Sequence, residues 1–338
     1  MRHTPPPQFQ AEAPVAIAFE MLDQMLRDQA EQHGLALHSG HGRATWVTLG
    51  QGEYGARRQG DGAVVFARAD SPDWLFTLKE AATFHVVGLG CVTAQALSWT
   101  GPDQAGAYPP NFSLGRVAWV RPLGADFLRM RIAARDITRL GRDMIHFRIV
   151  MPQANGVTEW PRLSSAGQAV WPQDLHRPAY TISAIDVDAG WLETDIFVHD
   201  GGRICDFANQ TLAGTELGVM GPGGGGVPQA ASLLIGGDET AYPALARIIA
   251  AQAPDAKIDC HLFGTSADYP FPAHPGLRLT HAPMGEADLA ATLSGGVEAE
   301  KVWIATEKAR LQPLKRAILR QIPKDRAHLA AYWNASIS

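Results

Sequence analysis

Apolar residues recur at spacings of three and four over Val15, Phe19, Leu22, Leu26 and Ala30, which predicts an amphipathic helix ending near Gly34. Short alternating runs at Ala44–Leu49 and Ala63–Ala67, with Gly60, Asp61 and Gly62 between them, predict hairpin strands. Ser71-Pro72 has the form of an N-cap followed by proline at the first helical position, opening a helix in which Trp74, Leu78, Ala82 and Val86 share a face. Together these make a small α+β domain over residues 1–100, closed by a Gly/Pro-bearing connector from Thr100 to Pro110.

From Leu114 to about Gly221 the rhythm is one of short apolar runs: Gly115–Val120, Phe127–Ile132, Ile145–Met151, Tyr180–Ile185, Leu192–His199 and Glu216–Met220. Strands without long helices predict an antiparallel barrel over residues 111–228. Asn155 to Arg177 breaks the rhythm with prolines, glycines and two tryptophans, and is expected to be a long loop. The C-terminal part, residues 229–338, alternates strand and helix: Ser232–Ile235, a helix over Tyr242–Ala251, Ile258–Phe263, Val302–Ala305, a helix over Glu307–Arg320, and a last strand at Ala327–Tyr332. That alternation predicts a parallel sheet with covering helices, so the expected class is a multi-domain α+β chain ending in an α/β domain.

With 46% apolar and 19% charged residues the 338-residue chain has ordinary globular usage, which excludes wholesale disorder. A net charge of −5 supplies no global positive field for nucleic acid. Cys91, Cys205 and Cys260 form no C-x-x-C pair and are too few for a disulfide framework or a four-thiolate cluster. No apolar stretch reaches a membrane-spanning length and the Pro-rich start has no signal-like core, so the expectation is a cytoplasmic protein with no membrane insertion.

Leu233-Leu234-Ile235-Gly236-Gly237-Asp238-Glu239-Thr240 places a buried strand before two glycines, a polar turn and a helix with Pro243 in its first turn. Glycines allow close backbone approach and a helix N-terminus offers free N–H groups, so the pattern fits phosphate binding at the carboxyl end of a strand, as well as an ordinary tight βα turn. Gly221-Pro222-Gly223-Gly224-Gly225-Gly226 spells G-x-G-x-x-G, but no helix follows, and a loop is expected there.

The run from Gly236 to Ile249 (GGDETAYPALARII) resembles the nucleotide-domain motif of siderophore-interacting proteins, flavin-dependent ferric-siderophore reductases related to ferredoxin reductases. His146–Pro152 (HFRIVMP), Arg177–Thr181 (RPAYT), Asp195–His199 (DIFVH) and the stretch from Val302 to Tyr332-Trp333 follow the same family order, so the resemblance covers roughly Leu114 to Trp333. The first 90 residues look more weakly like a small domain of unknown function sometimes fused to this family.

The resemblance implies a ferredoxin-reductase-like fold with an FAD-binding barrel and an NAD(P)H-binding α/β domain. In the family an Arg-x-Tyr-[Ser/Thr] strand holds FAD, the Tyr on the isoalloxazine and the Arg at the pyrophosphate. Tyr180 and Thr181 match, whereas Arg177 stands one residue further out, Pro178 occupies the usual Arg position, and Ser183 stands where many relatives have a second Arg. A second element after Val198 and His199 usually reads His-Gly, two residues, then Gly-Pro-Ala. Here Gly202, Arg203 and Ile204 fill it without Pro-Ala, Arg203 adding a cation. The implied cofactor contacts are Arg177, Tyr180, Thr181, Ser183, Val198, His199, Gly202, Arg203, Ile204 and Thr240. For NAD(P)H they are Gly236, Gly237, Asp238, Glu239 and Thr240, with Asp268 and the single nearby cation Arg278 leaning toward NADH.

Lys301 to Arg326 holds eight basic residues against two acidic ones, a reversal of the chain's overall sign. The family holds anionic ferric siderophores with a few Lys and Arg near the flavin, so Lys308, Arg310, Lys315 and Arg316 are the candidate substrate contacts; a solvated helix face is the alternative. His33, His38 and His41 have ligand-like spacing but no nearby Asp or Cys, and no metal site is expected. Trp160 and Trp171 are read as core or loop anchors or as a cover for the cofactor, and Cys205 as a packing residue. The expected function is an FAD-dependent reductase passing electrons from NAD(P)H to a ferric siderophore, with the chemistry on the flavin and no catalytic protein nucleophile. Two alternatives remain open: a general NAD(P)H–flavin oxidoreductase with a non-iron acceptor, and a siderophore-binding protein that has lost flavin.

Overall fold

The computed structural model describes residues 8–33, 35–49, 51–101, 104–142, 144–281 and 297–335. The Pro-rich opening, Gly34, and Pro102 and Asp103 of the connector lie outside them. The chain forms two compact units, one of residues 1–113 with 153–175, the other of residues 114–152 with 176–338.

The first unit begins with β1 (Phe9–Val15), α1 (Phe19–His33), β2 (Ala36–Gly40), β3 (Ala44–Leu49), β4 (Gly52–Gln59), β5 (Gly62–Ala69) and α2 (Pro72–Gly88). Its antiparallel sheet has the order β1-β5-β4-β3-β2. Val15 closes a strand instead of opening the first helix, because its neighbours alternate with period two and Ala11, Ala13 and Val15 all face the core. The helix face is otherwise as spaced: Leu22 and Leu26 of α1, and Leu78, Ala82 and Val86 of α2, pack on Val47, Tyr54, Ala56, Val65 and Ala67. Ser71 caps α2 by accepting from the Trp74 N–H at 3.4 Å. Strand β4 has no legible hydrophobic pattern, since Gly55 must be small where the Trp46 side chain crosses it; a Cβ at Gly55 would overlap Thr45 and Trp46.

Strand β6 (Phe112–Leu123), whose first two residues belong to the first unit, leads into the second, followed by β7 (Phe127–Ala134) and β8 (Met144–Val150). The chain then makes an excursion bearing two short strands, β9 (Arg162–Leu163) and β10 (Ala169–Val170), and returns at His176, whose carbonyl accepts from the Met151 N–H at 2.9 Å. It continues as β11 (Ala179–Thr181), β12 (Ala184–Asp186), β13 (Trp191–Phe197), α3 (Arg203–Gln210) and β14 (Glu216–Gly226). The antiparallel order is β11-β8-β14-β6-β7-β13-β12. Only Ile182 and Ser183 join the two terminal strands of that order, so the sheet curls around a core of Val117, Ile132, Phe147, Ile149, Ile196 and Val219.

Two expectations change here. The excursion over residues 153–175, which the expected barrel span included, folds with the first unit. Lys79 of α2, 2% exposed, donates from Nζ to the Gly167 carbonyl at 3.0 Å and lies over the rings of Phe76 and Trp99. Trp160 and Trp171 contact Phe112 of the same unit and serve as loop anchors. The Gly221–Gly226 run, expected as a loop, is the second half of β14, paired in shifted register with His146 and Met144. Buried Arg139 stabilises this irregular strand, donating to the carbonyls of Gly221 at 2.7 Å and Val219 at 3.0 Å.

The α/β half comprises β15 (Ser232–Gly237), α4 (Tyr242–Ala250), β16 (Lys257–Leu262), β17 (Leu277–His281), β18 (Lys301–Glu307), α5 (Lys308–Leu319) and β19 (Ala327–Trp333). Its sheet runs β17-β16-β15-β18-β19 with every described pairing parallel, as the alternation predicts. Alternate residues of β15 face opposite layers: Leu233 and Ile235 meet Leu245 and Ile248 of α4, whereas Leu234 meets Leu311, Leu314 and Ile318 of α5. The α4 face also receives Phe127 and Ile145 from the antiparallel sheet, so that this cluster draws on both sheets.

Candidate functional site

The β11–α3 corner gathers several of the expected cofactor contacts. Helix α3 starts after Gly202 with no side-chain cap, leaving first-turn N–H groups for another partner. Gly202 sits so close that a Cβ would lie 2.7 Å from Cys205 Sγ and 2.9 Å from His199 Cε1. Arg203, exposed on the first turn, stands near His176: burial and then the Arg203 charge hold that imidazole below its usual range. Arg177 follows, its carbonyl accepting from Arg148 Nη1 at 2.8 Å. The Tyr180 ring packs on the barrel core, as does Phe207 of α3, and its hydroxyl is pushed up, chiefly by burial and further by Cys205.

The other contacts of this set are less uniform. Thr181 is buried, with its carbonyl accepting from Thr194 Oγ1 at 2.8 Å. Ser183 Oγ is buried without a hydrogen-bond partner, while its N–H is spent on the Glu193 carbonyl. Val198 donates its N–H to the Asp126 carbonyl, His199 is exposed with Nδ1 3.1 Å from the Asp200 carbonyl, and Ile204 points its side chain into the core. Thr240 lies on the β15–α4 turn, bonded to Asp238 through N–H and Oγ1.

That turn is closed by protein atoms. A Cβ on Gly236 would lie 2.8 Å from Phe263 Cζ, and one on Gly237 would overlap the Ala305 carbonyl, so both glycines serve strand packing. The buried Asp238 carboxylate accepts from Thr240 N–H and Oγ1 and, on its other oxygen, from Thr306 Oγ1, the Glu307 N–H and Trp333 Nε1. It ties the ends of β15, β18 and β19 together. Glu239 turns away toward the loop after β16 and accepts from the Thr265 N–H at 2.6 Å.

Of the two residues behind the lean toward NADH, Asp268 accepts from the Ala125 N–H at 2.6 Å in the β6–β7 turn, where Gly124 adopts φ 63°, and Arg278 is 78% exposed near Asp259. The basic residues divide along α5. Lys308 and Arg310 occupy its first turn, at the carboxyl ends of the strands, where Glu307 caps the helix by accepting from the Ala309 and Arg310 N–H groups. Lys315 and Arg316 are exposed further along α5, which covers the sheet face opposite the antiparallel layer.

A pairing not anticipated joins two of the family-like stretches. His146 lies opposite Thr181 across β8 and β11, and its Nε2 is 2.6 Å from the Tyr332 hydroxyl. Its Nδ1 is buried without a partner against Gly224. Burial, with the nearby His328 and Arg247 charges, lowers His146 to about 4. Neither stretch alone carries a sign of the contact, because 186 residues separate the partners.

No curated protein matches the sequence. Among solved structures, the chain is similar to a siderophore utilization protein from T. fusca at 23% identity and TM-score 0.59, covering 70% of this chain and 98% of that one. It is similar to the siderophore-interacting protein SipS from Aeromonas hydrophila at 22% identity and TM-score 0.57, covering 68% and 94%. These likenesses bear on the fold. The family models matched are "Siderophore-interacting FAD-binding domain" over residues 116–226 and "Siderophore-interacting protein" over residues 230–336, which cover the antiparallel layer and the α/β half in turn. The chain therefore belongs to the siderophore-interacting protein family.

Proposed function

We propose that this protein is an FAD-dependent reductase that passes electrons from NAD(P)H to a ferric siderophore and releases Fe(II). The observation that carries this reading is the uncapped α3 N-terminus, with Arg203 on it and Arg177 and Tyr180 beside it, inside the FAD-binding family match. Free N–H groups together with guanidinium groups suit a pyrophosphate, and the unpartnered Ser183 Oγ leaves a buried hydroxyl for a polar ligand atom. The residues present fit the group.

Arg177, Arg203, Gly202 and the first N–H groups of α3 would hold the pyrophosphate, Tyr180 and Thr181 would bound the ring system, and Ser183, Val198, His199 and the Ile204 N–H would complete the contacts, whereas the Thr240 N–H and Oγ1 are spent on Asp238. Bound flavin supplies the conversion of a two-electron hydride into the single electrons that Fe(III) accepts. Lys308 and Arg310, with Lys315 and Arg316 further out, attract the anionic ferric complex. Reduction weakens hard oxygen ligands' hold on the metal, so release follows from the redox step.

The test is purification with FAD, removal of excess by gel filtration, and an absorption spectrum, followed by NADH or NADPH consumption with ferric siderophores and Fe(II) capture. Retained flavin with ferric reduction is expected. Retained flavin without any NAD(P)H-driven ferric reduction rejects the reading, and turnover with quinones alone marks a general flavin oxidoreductase. A siderophore-binding protein without flavin is favoured by Pro178 in the usual Arg position; a colourless protein that binds a ferric siderophore without reducing it would establish that reading.

A further inference from the structure

Glu239 belongs to the β15–α4 turn, yet its carboxylate sits in the loop after β16. Oε1 accepts from the backbone N–H of Thr265 at 2.6 Å, that of Ser266 at 3.3 Å and the Thr265 hydroxyl at 3.3 Å. The carboxyl group lies directly on Gly264, where any Cβ would overlap it. Donors converging on one oxygen, beyond the carboxyl end of a parallel strand, form an oxyanion cradle in the crevice where open α/β sheets take ligands.

A second observation marks this loop. Ser266 is 3% exposed, and its Oγ is buried with no hydrogen-bond partner. Its carbonyl lies 2.8 Å from His281 Nε2, which holds the loop from the β17 side. Thr265, in contrast, is exposed, so the cradle opens to solvent. The neighbouring turn has no equivalent vacancy, because Gly236 and Gly237 are walled by Phe263 and Ala305 and Asp238 is saturated.

We propose that the Gly264–Ser266 loop is the binding site for the diphosphate of a nucleotide, and that Glu239 is its resident substitute, displaced when the nucleotide binds. The proposal rests on the reading of the α/β half as the NAD(P)H domain. A diphosphate uses the same N–H and hydroxyl donors as Oε1. Carboxylate and phosphate repel at that distance, so the two occupy the cradle in turn. Apparent affinity for the nucleotide then falls by the fraction of time the cradle is free.

The experiment titrates the FAD-loaded full chain with inorganic pyrophosphate and with ADP by calorimetry. E239A should bind both about tenfold tighter or more than the parent, and E239Q, which keeps an acceptor without the charge, should tighten by less. Unchanged or weaker binding in variants that melt like the parent overturns the proposal. In the parent protein, saturating pyrophosphate should shift the Thr265 and Ser266 amide resonances, and unmoved resonances overturn it without any variant. Flavin reduction by NADH and NADPH is followed separately: its absence rejects the NAD(P)H reading, whereas the pyrophosphate data decide the cradle.

Discussion

The Tyr332 hydroxyl lies 2.6 Å from Nε2 of His146, joining the last strand of the parallel sheet to the antiparallel strand beside Thr181. The pair is half-buried, and His328 and Arg247 bear on the same imidazole. With its pKa near 4 against an ordinary 6.5, His146 is neutral in the fold at neutral pH.

The sign of the pH effect follows. Between about pH 6.5 and pH 4 the unfolded chain binds a proton at this position that the folded chain does not. The contribution of neutral His146 is therefore complete above pH 6.5 and is lost as the pH falls toward 4, by up to about 1.4 kcal/mol per pH unit. H146Q should flatten that part of the stability profile, measured by denaturant titration across the range. An unchanged slope would show that other groups carry it.

Gly202 is the tightest point of the α3 corner. G202A should displace the His199 ring or the Cys205 thiol, since a Cβ would come within 2.9 Å of both. The expected outcome is a flavin-to-protein ratio about tenfold lower at limiting FAD, close to the loss of one charge-assisted contact, with far-UV circular dichroism unchanged. Equal flavin retention would remove this turn from the cofactor site.

Lys79 fastens the excursion from the barrel to the first unit through Gly167. K79A leaves a buried carbonyl short of a donor and vacates the space between Phe76 and Trp99, costing about 1–3 kcal/mol. Limited proteolysis should then cut within residues 153–175 before the rest of the chain. Cleavage at the parent rate would mean that β9, β10 and the Phe112 contacts suffice.

Asp268 braces the β6–β7 turn by accepting from the Ala125 N–H. D268A should lower the melting temperature by a few degrees, as loss of about 1 kcal/mol does in a domain of this size, and leave the NADH-to-NADPH activity ratio unchanged. A changed ratio would return this residue to nucleotide selection.

Periodicity and capping chemistry along the chain determined much of this protein. The Ser71-Pro72 start of α2, the period-two runs of β6, β7 and β13, and the strand–helix alternation after Ser232 all act through neighbours within a few residues, so each is written locally. The order of motifs from His146 to Trp333 likewise carried the family. What those residues touch was decided only by the tertiary structure. Glycines 236 and 237 fit a phosphate-binding turn and an ordinary tight βα turn equally in sequence, and the parallel neighbours β16 and β18 that press on them are strands far off along the chain. Strand β14 runs through its glycines because Arg139 supplies the donors its carbonyls need. The His146–Tyr332 contact, the Glu239 clasp and the docking of Asp268 are long-range hydrogen bonds between polar groups, and no spacing rule encodes where a distant donor will be.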